Sequence, residues 1–196
     1  MFETALVRRG LTAGRRITYH TLVCAGLIAL AVLLPQLVHL ALGAPGGVQW
    51  LPMYLPVLIG GALLGTRWGL AVGILSPLVS FCLTSLMGSP MPAAARLPFM
   101  VIELAVFAVV SGLFTGRIAV HALWSFPAVI LAQLTGRAVF LGTIALTQSM
   151  TDFTVPMIWG QIRTGFAGLA VQAVLAPLIV MALRRMLLQE APHDRF

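Results

Sequence analysis

The stretch Thr21-Leu-Val-Cys-Ala-Gly-Leu-Ile-Ala-Leu-Ala-Val-Leu-Leu-Pro-Gln-Leu-Val-His-Leu-Ala-Leu-Gly43 decides the fold class, because its 23 residues include no Asp, Glu, Lys or Arg. A helix needs about 20 predominantly apolar residues to cross a bilayer. Five more apolar runs follow, at 50–65, 69–87, 98–115, 122–148 and 158–183. The sequence therefore predicts an all-α integral membrane protein, a bundle of six transmembrane helices.

The composition supports one membrane domain over residues 1–196. Hydrophobic residues make up 60% of the chain and charged residues only 9%. The loops between the apolar runs are short, and none is long enough to fold as a soluble domain. The sequence also lacks the Gly-rich phosphate-binding loop of ATPases, so the chain by itself is not expected to hydrolyse ATP.

The arginines predict the orientation of the bundle. All 12 basic residues are arginines, and the use of arginine without lysine is typical of a GC-rich bacterial gene. Most flank the same set of helix ends: Arg8, Arg9, Arg15, Arg16, Arg67, Arg117, Arg184 and Arg185. Cytoplasmic loops of membrane proteins carry such an excess, so we expect an inner-membrane protein with both termini in the cytoplasm. Because the charge of +7 is spread over loops, nucleic acid is not an expected partner.

Pairs of small residues at a spacing of four predict close helix packing. They are Ala25 and Ala29, Gly61 and Gly65, Gly69 and Gly73, and Gly112 and Gly116. In lipid, small residues let helix backbones approach one another. The glycine pairs are expected to pack inside the bundle. The alanine pair on the first span is a candidate surface for docking another protein.

Polar side chains inside the apolar runs are candidates for function, because they are costly in lipid. Glu103 and Arg137 are expected to pair, whereas Tyr54, Met53 and Cys82 fall at a similar depth near the outer face. The loops and helix ends expected to cover them carry Gln49, Arg96, Asp152 and Arg163. Two interpretations remain open and are compatible: a buried ion pair that holds helices together, and a substrate pocket that opens to the outside.

Cys82 has two interpretations. A buried cysteine is usually a small apolar packing residue, but its thiolate is also a good ligand for a transition metal. No second Cys, His or carboxylate lies near it at ligand spacing, so the sequence predicts no metal site built from protein groups alone. Cys82 is suited only to be an axial ligand for a metal that brings its own equatorial ligands, such as cobalt in a corrin ring.

Three segments resemble a known family. They are Leu51-Pro-Met-Tyr-Leu-Pro-Val-Leu-Ile-Gly60, Gly69-Leu-Ala-Val-Gly-Ile-Leu-Ser-Pro-Leu78 and Leu97-Pro-Phe-Met-Val-Ile-Glu-Leu104. In order and spacing they resemble the substrate-binding S components of energy-coupling factor vitamin transporters. With Cys82 at the end of the third span, the chain is most similar to the small cobalamin-specific S components of Gram-negative bacteria, the BtuM type.

The resemblance implies a fold, a substrate and partners. The fold would be the six-helix S-component bundle, and cobalamin would be taken up across the inner membrane. Cys82 would be the axial cobalt ligand, with a catalytic role only if its thiolate displaces cyanide from cyanocobalamin. Further contacts to cobalamin would come from Tyr54, Met53, Gln49, Arg96, Asp152, Arg163 and Ser85. Ala25 and Ala29 would dock a coupling module, made of a transmembrane T subunit and two ATPases, unless the protein works alone in the lipid.

Two other functions remain open. An S component for a smaller vitamin, such as pantothenate or folate, would use the same bundle with Cys82 as a packing residue. A membrane enzyme would use Glu103, Arg137 and Cys82 as a catalytic set. It would need a nucleophile and a base within hydrogen-bond reach.

Overall fold

The computed structural model of the protein describes residues 1–8, 10–149 and 153–189. Helices dominate this part of the chain, and two short 3₁₀ turns, Ala94–Arg96 and Ala122–Trp124, precede helices. The α-helices are α1 (Phe2–Arg8), α2 (Ala13–Trp50), α3 (Tyr54–Leu64), α4 (Thr66–Leu86), α5 (Leu97–Leu113), α6 (Thr115–Val120), α7 (Ser125–Thr147) and α8 (Val155–Gln189).

Within the described residues, five segments are long and apolar enough to cross a membrane. They are Ala13–Gly43, Thr66–Leu86, Ala94–Leu113, Ala122–Thr147 and Val155–Leu187. Large apolar side chains on their surfaces are exposed, for example Leu40 (83%), Leu86 (87%) and Leu146 (84%). Such surfaces would be unfavourable in water but match the hydrocarbon of a bilayer. The chain is an all-α, multi-pass membrane protein.

The second predicted span differs from the expected uninterrupted helix over 50–65. Helix α3 has 11 residues, which extend about 16 Å and do not cross a bilayer alone. Helix α2 is kinked at Gly43, whose φ of 71° suits glycine. Residues 44–50 are the part of α2 that follows the kink, and we call them the arm. A Cβ atom built on Gly46 would lie 3.4 Å from Cγ1 of Val38, so the arm turns back along α2. The arm and α3 are two helical segments separated by an interruption at 51–53.

Side chains of α8 accommodate this interruption. Leu51 has a φ of 48°, and Pro52 has no amide hydrogen, so regular helical hydrogen bonding stops there. Nε2 of Gln172 donates hydrogen bonds to the carbonyl oxygens of Trp50, at 2.8 Å, and Leu51, at 2.9 Å. At membrane depth, carbonyl groups released from a helix need such partners. Gly168 permits the approach, since a Cβ atom there would lie 2.8 Å from Cα of Trp50.

Helices α3, α4 and α5 pack through their glycines. A Cβ atom on Gly73 would lie 2.6 Å from the carbonyl oxygen of Leu104, and one on Gly112 would lie 2.7 Å from Cα of Thr66. Both distances are too short for a side chain, so these backbones touch directly. Gly116 does not pack inside the bundle as its predicted pairing with Gly112 implied, because a Cβ atom there would have no neighbour within 4 Å. It lies beyond the end of α5, where the chain leaves the interface.

The arginine-flanked helix ends lie together. Arg184 on α8 donates a hydrogen bond of 3.0 Å from Nη2 to the carbonyl oxygen of Ala119 on α6, and Arg117 lies on the same short helix. The start of α4, which carries Arg67, contacts the end of α5 at Gly112. We call this end of the bundle the arginine end. The loop between α4 and α5 lies at the opposite end.

Candidate functional site

A cavity of about 240 Å³ lies in the bundle toward the end opposite the arginine end. Each of the long helices contributes to it, together with the interruption at 51–53 and the loop after α4. Its lining consists of Pro35, Leu51, Pro52, Met53, Tyr54, Ser80, Met91, Pro92, Ala93, Arg96, Met100, Arg137, Phe140 and Gln161. Apolar groups predominate, and a few polar side chains converge among them, as is usual in ligand-binding sites.

The interrupted helix supplies the floor of the cavity. Residues 51–53 and Tyr54, where α3 begins, all line the cavity. The hydroxyl of Tyr54 donates a 2.7 Å hydrogen bond to Oε2 of Glu103 on α5. Nη1 of Arg137, on α7, lies 3.0 Å from Oε1 of the same carboxylate. The Tyr54–Glu103–Arg137 cluster thus joins three helices beneath the cavity.

Arg137 is held in place by aromatic rings. Its guanidinium carbon lies 5.0 Å from the ring centroid of Tyr54 and 6.0 Å from that of Phe140. Attraction between a cation and an aromatic face fixes the plane of the guanidinium. The edge of the Phe107 ring meets Tyr54 from the other side, with the centroids 5.0 Å apart. The cluster is therefore ordered by packing as well as by charge.

The cluster leaves two polar atoms without hydrogen bonds. Although Nη1 of Arg137 and Oε1 of Glu103 are within ion-pair distance, Oε1 receives no hydrogen bond, so the angle between the groups is unsuitable. Nε of Arg137 is buried and has no acceptor either. Glu103 is completely buried, whereas the side chain of Arg137 keeps 13% exposure and lines the cavity. The exposed part of the Arg137 side chain is therefore the part that a ligand in the cavity can reach.

The loop after α4 forms one wall of the cavity and is fastened to α4. The amide of Met91 donates a 2.7 Å hydrogen bond to Oγ1 of Thr84, and Oγ of Ser80 donates to the carbonyl oxygen of Met91 at 2.8 Å. Arg96, at the start of α5, lies over the ring of Phe153, 5.8 Å from its centroid. The wall is therefore positioned by specific contacts.

The structure brings together part of the set of residues predicted from the sequence. Met53, Tyr54, Arg96 and Arg137 line the cavity, and Glu103 lies directly behind its floor. Gln49, Ser85 and Arg163 are exposed and do not line it. Asp152 lies outside the described residues.

Cys82 also lies away from the cavity. Its side chain is exposed, whereas Ser80, two residues earlier, lines the cavity. Two residues correspond to about 200° around a helix, so the two side chains point in nearly opposite directions. The catalytic set proposed for a membrane enzyme is therefore not assembled at the cavity. In the described part of the chain, no group of three His, Cys, Asp or Glu side chains is placed to hold a metal ion.

Sequence reasoning missed several lining residues, chiefly Ser80, Met91, Met100, Phe140 and Gln161. For two of these a signal was available. Phe140 follows Arg137 by three residues and Met100 precedes Glu103 by three, so each shares a helical face with a residue of the cluster. The position of Met91 depends on the loop contacts to α4, which no sequence pattern reveals.

The predicted docking pair lies apart from the cavity. Ala25 and Ala29 are exposed on α2, and a Cβ atom on the neighbouring Gly26 would have no contact within 4 Å. Comparison with models of known protein families, with curated proteins and with solved structures finds no match to this chain. The geometry of the cavity is therefore the basis for assigning a function.

Proposed function

We propose that this chain is a bacterial inner-membrane protein that binds a small, vitamin-sized organic molecule in the cavity and takes part in its uptake. The observation that carries the proposal is the cavity at the interruption of a helix, above the ordered Tyr54–Glu103–Arg137 cluster. Membrane transporters typically bind their substrates at interrupted helices near the middle of the bilayer. The resemblance to S components agrees with this function.

The orientation follows from the charges. With the arginine end in the cytoplasm, the cavity faces the outside, where a nutrient arrives. The arm 44–50 and α3 together provide the crossing that α3 is too short to make alone. The bundle then has six crossings, which puts both termini in the cytoplasm.

The size of the cavity favours a small substrate over a corrinoid. Pockets for drug-sized ligands measure about 300–1,000 Å³, and 240 Å³ lies just below that range. A molecule of the size of pantothenate suits such a space. A corrin ring with its nucleotide is several times larger and would not be enclosed. Of the vitamin hypotheses, the geometry favours the S component for a small vitamin.

Filling the cavity tests this function. Met91→Trp adds a large ring to the wall without changing the backbone atoms that bind Ser80 and Thr84, so we expect it to reduce vitamin affinity at least about 10-fold. Met87→Trp is the matched control, because Met87 is 80% exposed and outside the lining. Affinities of purified protein for pantothenate, biotin, riboflavin and thiamine would be measured by calorimetry. Equal affinities in both variants, or binding of none of these vitamins, would contradict the proposal.

Cobalamin is the second candidate, favoured by the exposed thiol of Cys82 near the cavity end of α4. A corrinoid would have to lie outside the cavity, with its cobalt facing this surface of the helix. A thiolate that binds cobalt there would displace the axial cyanide of cyanocobalamin. The reaction transfers one cyanide ion to solvent and leaves the oxidation state of cobalt unchanged.

The visible spectrum of cyanocobalamin distinguishes the two candidates. If cobalamin is the substrate, adding the wild-type protein changes the spectrum, Cys82→Ser abolishes the change, and Cys24→Ser preserves it, because Cys24 is buried elsewhere. A spectrum that stays the same with wild-type protein and with both variants would exclude the cobalt ligand. That result would leave the small-vitamin function as the better candidate.

A further inference from the structure

The lining of the cavity has positive charges that no lining acid offsets. Arg96 and Arg137 are its charged members, and the lining contains neither aspartate nor glutamate in the described part of the chain. Glu103 is fully buried behind the floor and does not face the cavity. A ligand that enters therefore meets two guanidinium groups, of which that of Arg137 is paired from behind by Glu103.

The donors that the lining offers a ligand are chiefly its arginines. The hydroxyl groups of Tyr54 and Ser80 already donate to Glu103 and to the carbonyl oxygen of Met91. Arg137 keeps 13% of its side chain exposed and lines the cavity. A planar guanidinium can bind a carboxylate through two parallel hydrogen bonds.

We propose that the substrate is a small organic carboxylate whose carboxylate group binds Arg137. Arg96 lies closer to the wall and attracts the anion toward the site. The remainder of the ligand is apolar and contacts Met53, Met100 and Phe140, whose flexible or flat side chains accommodate varied shapes. This inference rests on the proposed function and adds the charge of the substrate.

Matched pairs of acids and neutral analogues test the charge directly. The probes are pantothenate with pantothenol, biotin with biotinamide and nicotinate with nicotinamide, together with thiamine as a cation. Purified wild-type protein in detergent should bind at least one acid about 10- to 100-fold more tightly than its neutral partner, the loss expected for a charged hydrogen-bonding group. Thiamine should not bind more tightly than the best acid.

Two arginine variants test whether the preference for an acid over its neutral analogue arises in the cavity. Arg96→Gln should weaken binding of the best acid about 10-fold and leave its neutral partner unchanged. Arg163→Gln removes the same charge from an exposed position outside the lining and should leave both affinities unchanged. Neither arginine belongs to the Tyr54–Glu103–Arg137 cluster, so both variants are expected to fold. An equal loss in the two variants would overturn the assignment of Arg96.

The remaining outcomes separate this inference from the proposed function. Suppose that a neutral or cationic probe binds as tightly as the best acid and that Met91→Trp abolishes its binding. This result would overturn the inference that the substrate is a carboxylate, but the cavity would remain a binding site. Binding of no probe of any charge would overturn both. Acid binding that Met91→Trp and Arg96→Gln leave unchanged would also overturn the inference, because the anion would then bind elsewhere.

Discussion

Replacing Glu103 by glutamine or Arg137 by methionine is expected to lower the free energy of unfolding by about 3–5 kcal/mol, as is typical when one partner of a buried ion pair is removed. Each change leaves the other charge without its partner at a position that is buried in the bundle. Glu103→Gln also replaces an acceptor-only carboxylate oxygen by an amide, next to a guanidinium that only donates.

The double variant is expected to lose less free energy than the sum of the two single variants, because neither charge then remains unpaired. Equilibrium unfolding of the purified protein in detergent, titrated with a denaturing detergent, measures the difference as a double-mutant cycle. Arg163→Met is the control, since Arg163 is exposed and stacks against Trp159 outside the cluster. If the two single losses simply add, the pair does not contribute to stability as an interacting unit.

Gly112→Ala is expected to lower the free energy of unfolding by about 1–3 kcal/mol, the usual cost of overpacking a tight interface. The new Cβ atom would lie 2.7 Å from both Cα and N of Thr66. Because these are backbone atoms, no side chain can rotate away. Helices α4 and α5 would have to separate, and their separation would disturb the packing of α3 against both of them.

Gly116→Ala is the matched control from the same predicted pair. A Cβ atom at Gly116 has open space around it, and the residue lies in the short helix α6. Alanine favours a helix over glycine by about 0.5–1 kcal/mol, so stability should stay the same or rise slightly. Thermal unfolding of both variants in one detergent gives the comparison. Equal losses would show that α5 does not approach α4 as closely as described.

The sequence could predict that this protein lies in a membrane, because the prediction depends only on the apolar length of each separate segment. The apolar length of Thr21–Gly43 and its four long counterparts determines that they cross a bilayer, whatever their neighbours are. The depth of a residue along its helix is also local, since each residue advances the helix by about 1.5 Å. Glu103 and Arg137 were therefore expected in the outer half of the bundle and to pair, and the structure brings them within 3.0 Å.

The direction of each side chain around its helix was decided by the tertiary structure. Cys82 was expected at the correct end of α4, but packing against α5 turns Ser80 toward the cavity and leaves Cys82 exposed. The low amphipathicity of membrane helices removes the signal that would reveal this rotation in a soluble protein. Gln49, Ser85 and Arg163 likewise lie at exposed positions outside the cavity lining.

The interruption at 51–53 likewise depends on distant partners. Proline at position 52 indicates a weak point, but a helix in a membrane tolerates proline when its carbonyl groups find other donors. Gln172 supplies those donors from more than a hundred residues away, and Gly168 leaves room for the chain. The sequence by itself determined that the chain lies in a membrane and how deep its polar residues are. The tertiary structure decided which of them share a cavity, because rotation and interruption of a helix are set by the helices packed around it.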